Sequence, residues 1–115
     1  MVEFLDTEGI SSELSKMITN SKEKLYLVSP YLQISDKIKK MLLQAEKTFP
    51  NIDIKVVYRL NKDGELKVND MDFLLNQLKN ANISALDNLH AKCYLNEHTA
   101  IITSMNLYQH SQVNN

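Results

Sequence analysis

The apolar residues of the chain switch repeatedly between a period of two and helical spacing. "VEFLD" (2–6) alternates weakly and predicts a short first strand, after which Ile10, Leu14, Met17 and Ile18 recur at helical spacing. "KLYLVSPYL" predicts a buried strand that stops at Ser29 and Pro30, since proline lacks the amide a central ladder needs. Ser35 then caps a second expected helix, whose apolar face is Ile38, Met41, Leu42 and Ala45 and which ends before "FPN". "IDIKVVYRL" is rich in β-branched residues and predicts a third strand, followed by the polar turn "NKDGEL".

Asn69 is placed to cap a third helix, with Asp70 and Asp72 in its first turn and Phe73, Leu74, Leu75 and Leu78 on its apolar side. "NISAL" (82–86) predicts a short strand. Two more are expected at about 89–95 and 99–104, joined by Asn96, Glu97 and His98. Strands alternating with helices predict an α/β fold: a mixed β-sheet flanked by helices, parallel at the early crossovers and antiparallel at the late hairpin. With no repeat, linker or low-complexity stretch, 1–115 is expected to be a single domain.

Composition narrows the function classes. The chain is 43% hydrophobic and 23% charged, as in a globular protein, and its formal charge of -1 supplies no global field for a polyanion. The lysines of "SDKIKKMLLQAEK" are interleaved with apolar residues at helical spacing, so they read as the solvated face of a helix rather than a phosphate-binding stripe. No apolar run is long enough to span a bilayer, and "MVEFLDTEGI" lacks the basic and apolar regions of a signal peptide. A cytoplasmic location without stable membrane association is therefore expected. The lone Cys93 forms no intrachain disulfide and fits a reducing compartment.

The densest chemistry lies in "LHAKCYLNEHTAIITSMNL" (89–107). On a strand, His90, Lys92 and Tyr94 share one face and Ala91, Cys93 and Leu95 the other. The second set is the more apolar and is expected to face the core. An imidazole and an ammonium are then left side by side, an arrangement that a bound anion would relieve. A returning antiparallel strand brings Ser104, and Asn106 beyond it, toward the same end. A zinc site from His90, Cys93, His98 and His110 is disfavoured, because Cys93 and His90 have opposite parity and no pair has finger spacing. His98 and His110 read as solvated; Met17, Met41 and Met71 read as core filler.

These residues resemble the HKD signature of the phospholipase D superfamily, in which His-x-Lys precedes an acidic residue and a Gly-Ser-x-Asn-like turn. His90 and Lys92 match its first positions, Ser104 and Asn106 the Ser and Asn, and Thr103 stands in place of the Gly. "VSPYL" and "VVYRL" are similar to strand ends of superfamily nucleases and restriction-enzyme phosphodiesterase domains. Glu97 occupies the acidic position, but the interval from it to Ser104 is one residue shorter than usual. In the resembling proteins a further strand with an acidic residue follows, so the chain is expected to lack C-terminal elements of a longer protein.

The resemblance implies a phosphodiesterase, nuclease-like in its substrate, that works through a phosphohistidine. His90 would attack phosphorus, Lys92 and Asn106 would hold the non-bridging oxygens, and Ser104 would complete the catalytic set. Only one His-x-Lys motif is present. The second histidine, needed to protonate the leaving oxygen, would come from a second copy in a homodimer, with nucleic acid as the expected partner and substrate. No metal or other cofactor enters that scheme. Glu97, Ser29, Tyr31 and Arg59 are supporting candidates: Ser29 and Tyr31 flank a strand's carboxyl end, where ligands bind in many α/β folds, and Arg59 offers a planar fork to a phosphate. The alternatives are a non-catalytic module on the same fold, for dimerisation or nucleic-acid binding, and a phospholipid-acting phosphodiesterase.

Overall fold

The computed structural model describes residues 2–3, 7–30, 34–59, 68–90 and 92–103. Within these, the chain runs β1 (Val2–Glu3), α1 (Thr7–Thr19), β2 (Lys24–Val28), α2 (Asp36–Thr48), β3 (Asp53–Arg59), α3 (Val68–Asp72), β4 (Ala81–Leu86), β5 (Cys93–Asn96) and β6 (Ala100–Ile102). The six strands form one sheet in the order β1-β6-β5-β2-β3-β4. β2, β3 and β4 are parallel neighbours, whereas β5 is antiparallel to both β2 and β6. The division expected from the sequence is realised: crossover helices join the parallel strands, and a tight turn joins the antiparallel pair.

Local chemistry explains the element ends. Ser35 adopts an extended backbone, and its hydroxyl accepts the Ile38 N–H at 3.2 Å, the capping bond expected of it. Asp36 in the first turn and Lys47 in the last complement the dipole of α2. Asn69 does not cap α3. The helix already includes Val68, so Asn69 lies inside its first turn. Asp70 takes the anchoring role instead: it is buried, pairs with Lys39 at 2.9 Å and accepts the Ile34 N–H at 3.2 Å, tying α3 to the entrance of α2.

After Asp72 the helix widens into a π-helical turn, Phe73–Gln77, closed by the Leu78 N–H on the Phe73 carbonyl at 3.1 Å. The wider path sends Phe73, Leu74 and Leu78 into the core and leaves Leu75 in solvent.

One core cluster joins Leu14, Met17 and Ile18 of α1 and Ile38, Leu42 and Ala45 of α2 to Leu25, Leu27, Ile54, Val56, Tyr94 and Ile101 of the sheet. These sheet residues are in register with one another, so they share a face. All the described helices cover that face. On the other side, Tyr26, Val28, Val57, Cys93 and Leu95 are half-buried. The apolar face of β5 is thus the reverse of the sequence expectation. Tyr94 is 0% exposed, while Cys93 and Leu95 point away from the helices. A tyrosine can enter a core once its hydroxyl has a partner, and the Tyr94 hydroxyl is hydrogen-bonded to that of Ser29.

Candidate active site

Strand register decides which of the expected residues meet. β5 pairs with β2 through Leu27↔Tyr94 and Val28↔Cys93, so the next step outward sets Ser29 beside Lys92. On the other flank Cys93 is opposite Ile102, and the Thr103 N–H donates to the Lys92 carbonyl at 3.1 Å. Lys92 therefore sits between Ser29 and Thr103. The end of β3 joins them: the Ser29 N–H donates to the Val57 carbonyl at 3.0 Å, and the Arg59 N–H to the Pro30 carbonyl at 3.2 Å. His90 precedes Lys92 on the approach to β5 and is exposed.

One end of the sheet thus sets Ser29 beside Lys92, with His90 leading into it; Arg59 closes β3 at the same end, but it has the parity of Val57 and so lies on the helix-free face, opposite Ser29 and Lys92. It is the carboxyl end of β2 and β3, the end of the parallel strands at which ligands bind in many α/β folds. Ser104 and Asn106, and Tyr31 on the other side, lie outside the described residues; the Lys92–Thr103 bond carries the ladder up to the residue before Ser104.

Two side chains beneath this end are buried. Ser29 is 0% exposed and shares its hydrogen bond with Tyr94. Desolvation raises the phenol of Tyr94 far above its ordinary value; the Ser29 bond opposes this, and neighbouring Cys93 adds to it. Tyr94 is consequently a fixed neutral hydroxyl. Burial also raises the Cys93 thiol, on the helix-free face. The sequence offered one signal for the Ser29–Tyr94 pair, the shared parity of Tyr94 with Lys92, but the expected orientation of β5 concealed its meaning.

Glu97 is not brought to this end. It lies five residues along from Lys92, about 17 Å on an extended strand, in the turn after β5. There its carboxylate accepts the N–H groups of Lys22 at 2.8 Å and Lys24 at 3.3 Å. Desolvation pushes the carboxyl up, but the backbone amides of Glu97 itself, Lys22, Lys24 and Glu23 outweigh it and leave the group more acidic than usual. His98 stands 3.5 Å from the same carboxylate and is largely exposed.

Asn96 is the hub of the turn. Its side-chain oxygen accepts the N–H groups of His98 at 2.8 Å and Thr99 at 2.9 Å, while its amide donates to the Met17 carbonyl at 3.1 Å. An asparagine opening a short loop is a recognised Asx-turn signal, which makes this role readable in hindsight. Among the described residues no three His, Cys, Asp or Glu side chains cluster as metal ligands, and no helix is long and apolar enough to cross a membrane.

No family model matches the chain, and no curated protein matches it. Solved structures do. The chain is similar to NUC, a phospholipase D family member from Salmonella typhimurium, at 19% identity and a TM-score of 0.61, over 84% of this chain and 63% of that one. It is also similar to phosphatidylserine synthase from Haemophilus influenzae Rd KW20, at 16% identity and a TM-score of 0.61, over 90% of this chain and 29% of that one. The chain spans less than two thirds of either protein. Its fold is phospholipase D-like, the architecture expected from the HKD-like stretch.

Proposed function

We propose that this chain is a phosphodiesterase of the phospholipase D type that hydrolyses nucleic-acid phosphodiesters at a site shared by two copies. The observation that carries the reading is the register that seats Lys92 between Ser29 and Thr103 at the carboxyl end of β2 and β3, with His90 leading into it. The phospholipase D-like fold gives that convergence its chemical meaning.

In this reading the His90 imidazole attacks phosphorus and the P–O bond to the leaving group breaks, giving a phosphohistidine; His90 of the second copy protonates the departing oxygen. Lys92 and Asn106 hold the non-bridging oxygens, where charge accumulates, with Ser104 beside them. Water then attacks the phosphohistidine, the second copy's histidine takes its proton, and His90 is freed. The scheme requires no metal. Glu97 is reserved for the turn, which fits a motif whose acidic member supports the strand and takes no part at phosphorus.

The test is hydrolysis of an aryl phosphodiester in excess chelator. Turnover is expected in the wild type and absent in a folded His90→Ala protein. Full hydrolysis by His90→Ala would leave a non-catalytic binding module in possession, and loss on chelation with recovery on adding zinc or magnesium would overturn the metal-free scheme. Comparing plasmid DNA with phospholipid vesicles as substrates separates the nuclease reading from the lipid one.

A further inference from the structure

The outer edge of β4 carries a separate message. β4 is a terminal strand of the sheet, and among the described residues no strand pairs with its far side. In a parallel ladder alternate residues turn their N–H and C=O groups away from the neighbour, so Ala81–Leu86 presents a row of such groups outward. Edges of this length are normally blunted by a charge, a proline or a bulge. "ANISAL" has no charge and no proline. Its start is held rigid, because buried Glu46 accepts the N–H groups of Lys79 at 2.8 Å and Asn80 at 2.6 Å. Exposed Leu86 and Leu75 stand nearby.

The charges that are missing from the strand sit at its two ends, with opposite sign: Lys79 before it and Asp87 after it. Both are exposed, and neither is ion-paired with another described residue. We infer that the β4 edge pairs antiparallel with β4 of a second copy about a two-fold axis through Ile83.

That register is self-complementary. It sets Lys79 opposite Asp87 of the second copy at both ends, Ala81 opposite Ala85, Asn82 opposite Ser84, and Ile83 opposite its own counterpart on the helix-covered face. Sliding by one pair loses both charge matches. The axis is distinct from that of a shared His90 site, since β5 lies three strand spacings from β4 and this two-fold keeps the two copies of β5 about 34 Å apart. The edge contact can therefore form or fail independently of the chemistry at His90.

Two measurements on the full chain test it. Lys79→Asp and Asp87→Lys each place like charges at both ends and are expected to weaken association at least about tenfold, halving the mass in sedimentation. The double swap restores association, and aryl phosphodiester turnover is unchanged throughout. The second is register-specific: in a Cys93→Ser background, Asn82→Cys with Ser84→Cys sets each new thiol opposite its partner at Cα distances of about 4.5–5.5 Å, within reach of a disulfide. Oxidation is expected to give a covalent dimer rapidly, and Ser84→Cys alone much more slowly. Equal rates, or a mass indifferent to both single charge reversals, would overturn the pairing and leave the edge to a strand from another protein.

Discussion

The two ends of β5 are built from similar residue types and put them to opposite use. At the turn end Asn96 and Glu97 spend their polar atoms on backbone: Asn96 bonds the Met17 carbonyl and the amides of His98 and Thr99, and Glu97 takes the amides of Lys22 and Lys24. At the other end Lys92 is held only through its backbone among the contacts described, by the Thr103 N–H, and exposed His90 sits beyond the strand. A polar group saturated by the protein stabilises the fold and is closed to a ligand. One that is fixed through its backbone, with no side-chain bond among the contacts described, is left able to bind something else. The same strand therefore has an anchored end and, in the proposed mechanism, an acting end.

The sharpest way to break this contrast is a crossed pair of substitutions. Lys92→Ala removes a half-buried ammonium and is expected to cut turnover about 100- to 1,000-fold with the melting temperature nearly unchanged. Asn96→Ala deletes a buried amide and strands several backbone groups. It should cost about 3 kcal/mol, lowering the melting temperature by roughly 12 °C, with kcat of the folded fraction preserved. Calorimetry beside a turnover assay reads both. If Lys92→Ala destabilises as strongly as Asn96→Ala, the two ends do not differ in kind.

Glu97 sharpens the contrast through pH. Its carboxyl is more acidic in the fold than in the unfolded chain, so its contribution is complete above the ordinary glutamate range and disappears as pH falls through the lowered value. Glu97→Gln is expected to cost about 1 kcal/mol at neutral pH, moderated by the water that reaches the turn beside His98. The wild-type and Gln stability curves should converge in acid, with turnover per folded molecule equal at pH 7. Denaturant titrations across the acid range check this. Parallel curves would mean that the charge of Glu97 is not what holds the turn.

Much of this arrangement was legible in the sequence, and the failures have physical causes. Period-two and helical spacing located the strands and helices because burial imposes those periods, and Ser35 announced its cap through its position before Ile38. Asn69 misled because Asp70 nearby makes the stronger tie, to Lys39 and the Ile34 amide, and α3 starts earlier. The face of β5 was inverted because residue type was weighed without partners: Cys93 and Leu95 are the more apolar pair, yet Tyr94 is buried once Ser29 meets its hydroxyl. The meeting of Ser29 and Lys92 depends on pairing between β2 and β5, strands more than 60 residues apart, and no local pattern records that register.

Tyr94 lies between the two uses of the strand, in the core but two residues from Lys92. Its hydroxyl, bonded to Ser29 and kept neutral by burial, belongs to the scaffold if it only satisfies Ser29 and to the acting end if it also fixes the backbone from which Lys92 projects. Tyr94→Phe keeps the ring volume and removes one buried hydrogen bond. The expected loss is about 1 kcal/mol, or roughly 4 °C in melting temperature, with turnover within about twofold of wild type. Ser29→Ala in the Tyr94→Phe background should then cost little more, because the two hydroxyls form a single interaction and deleting both leaves no orphan. A fall in kcat in either variant with KM unchanged would move the pair to the acting end, since a scaffold hydroxyl has no route to the transition state except through the placement of Lys92.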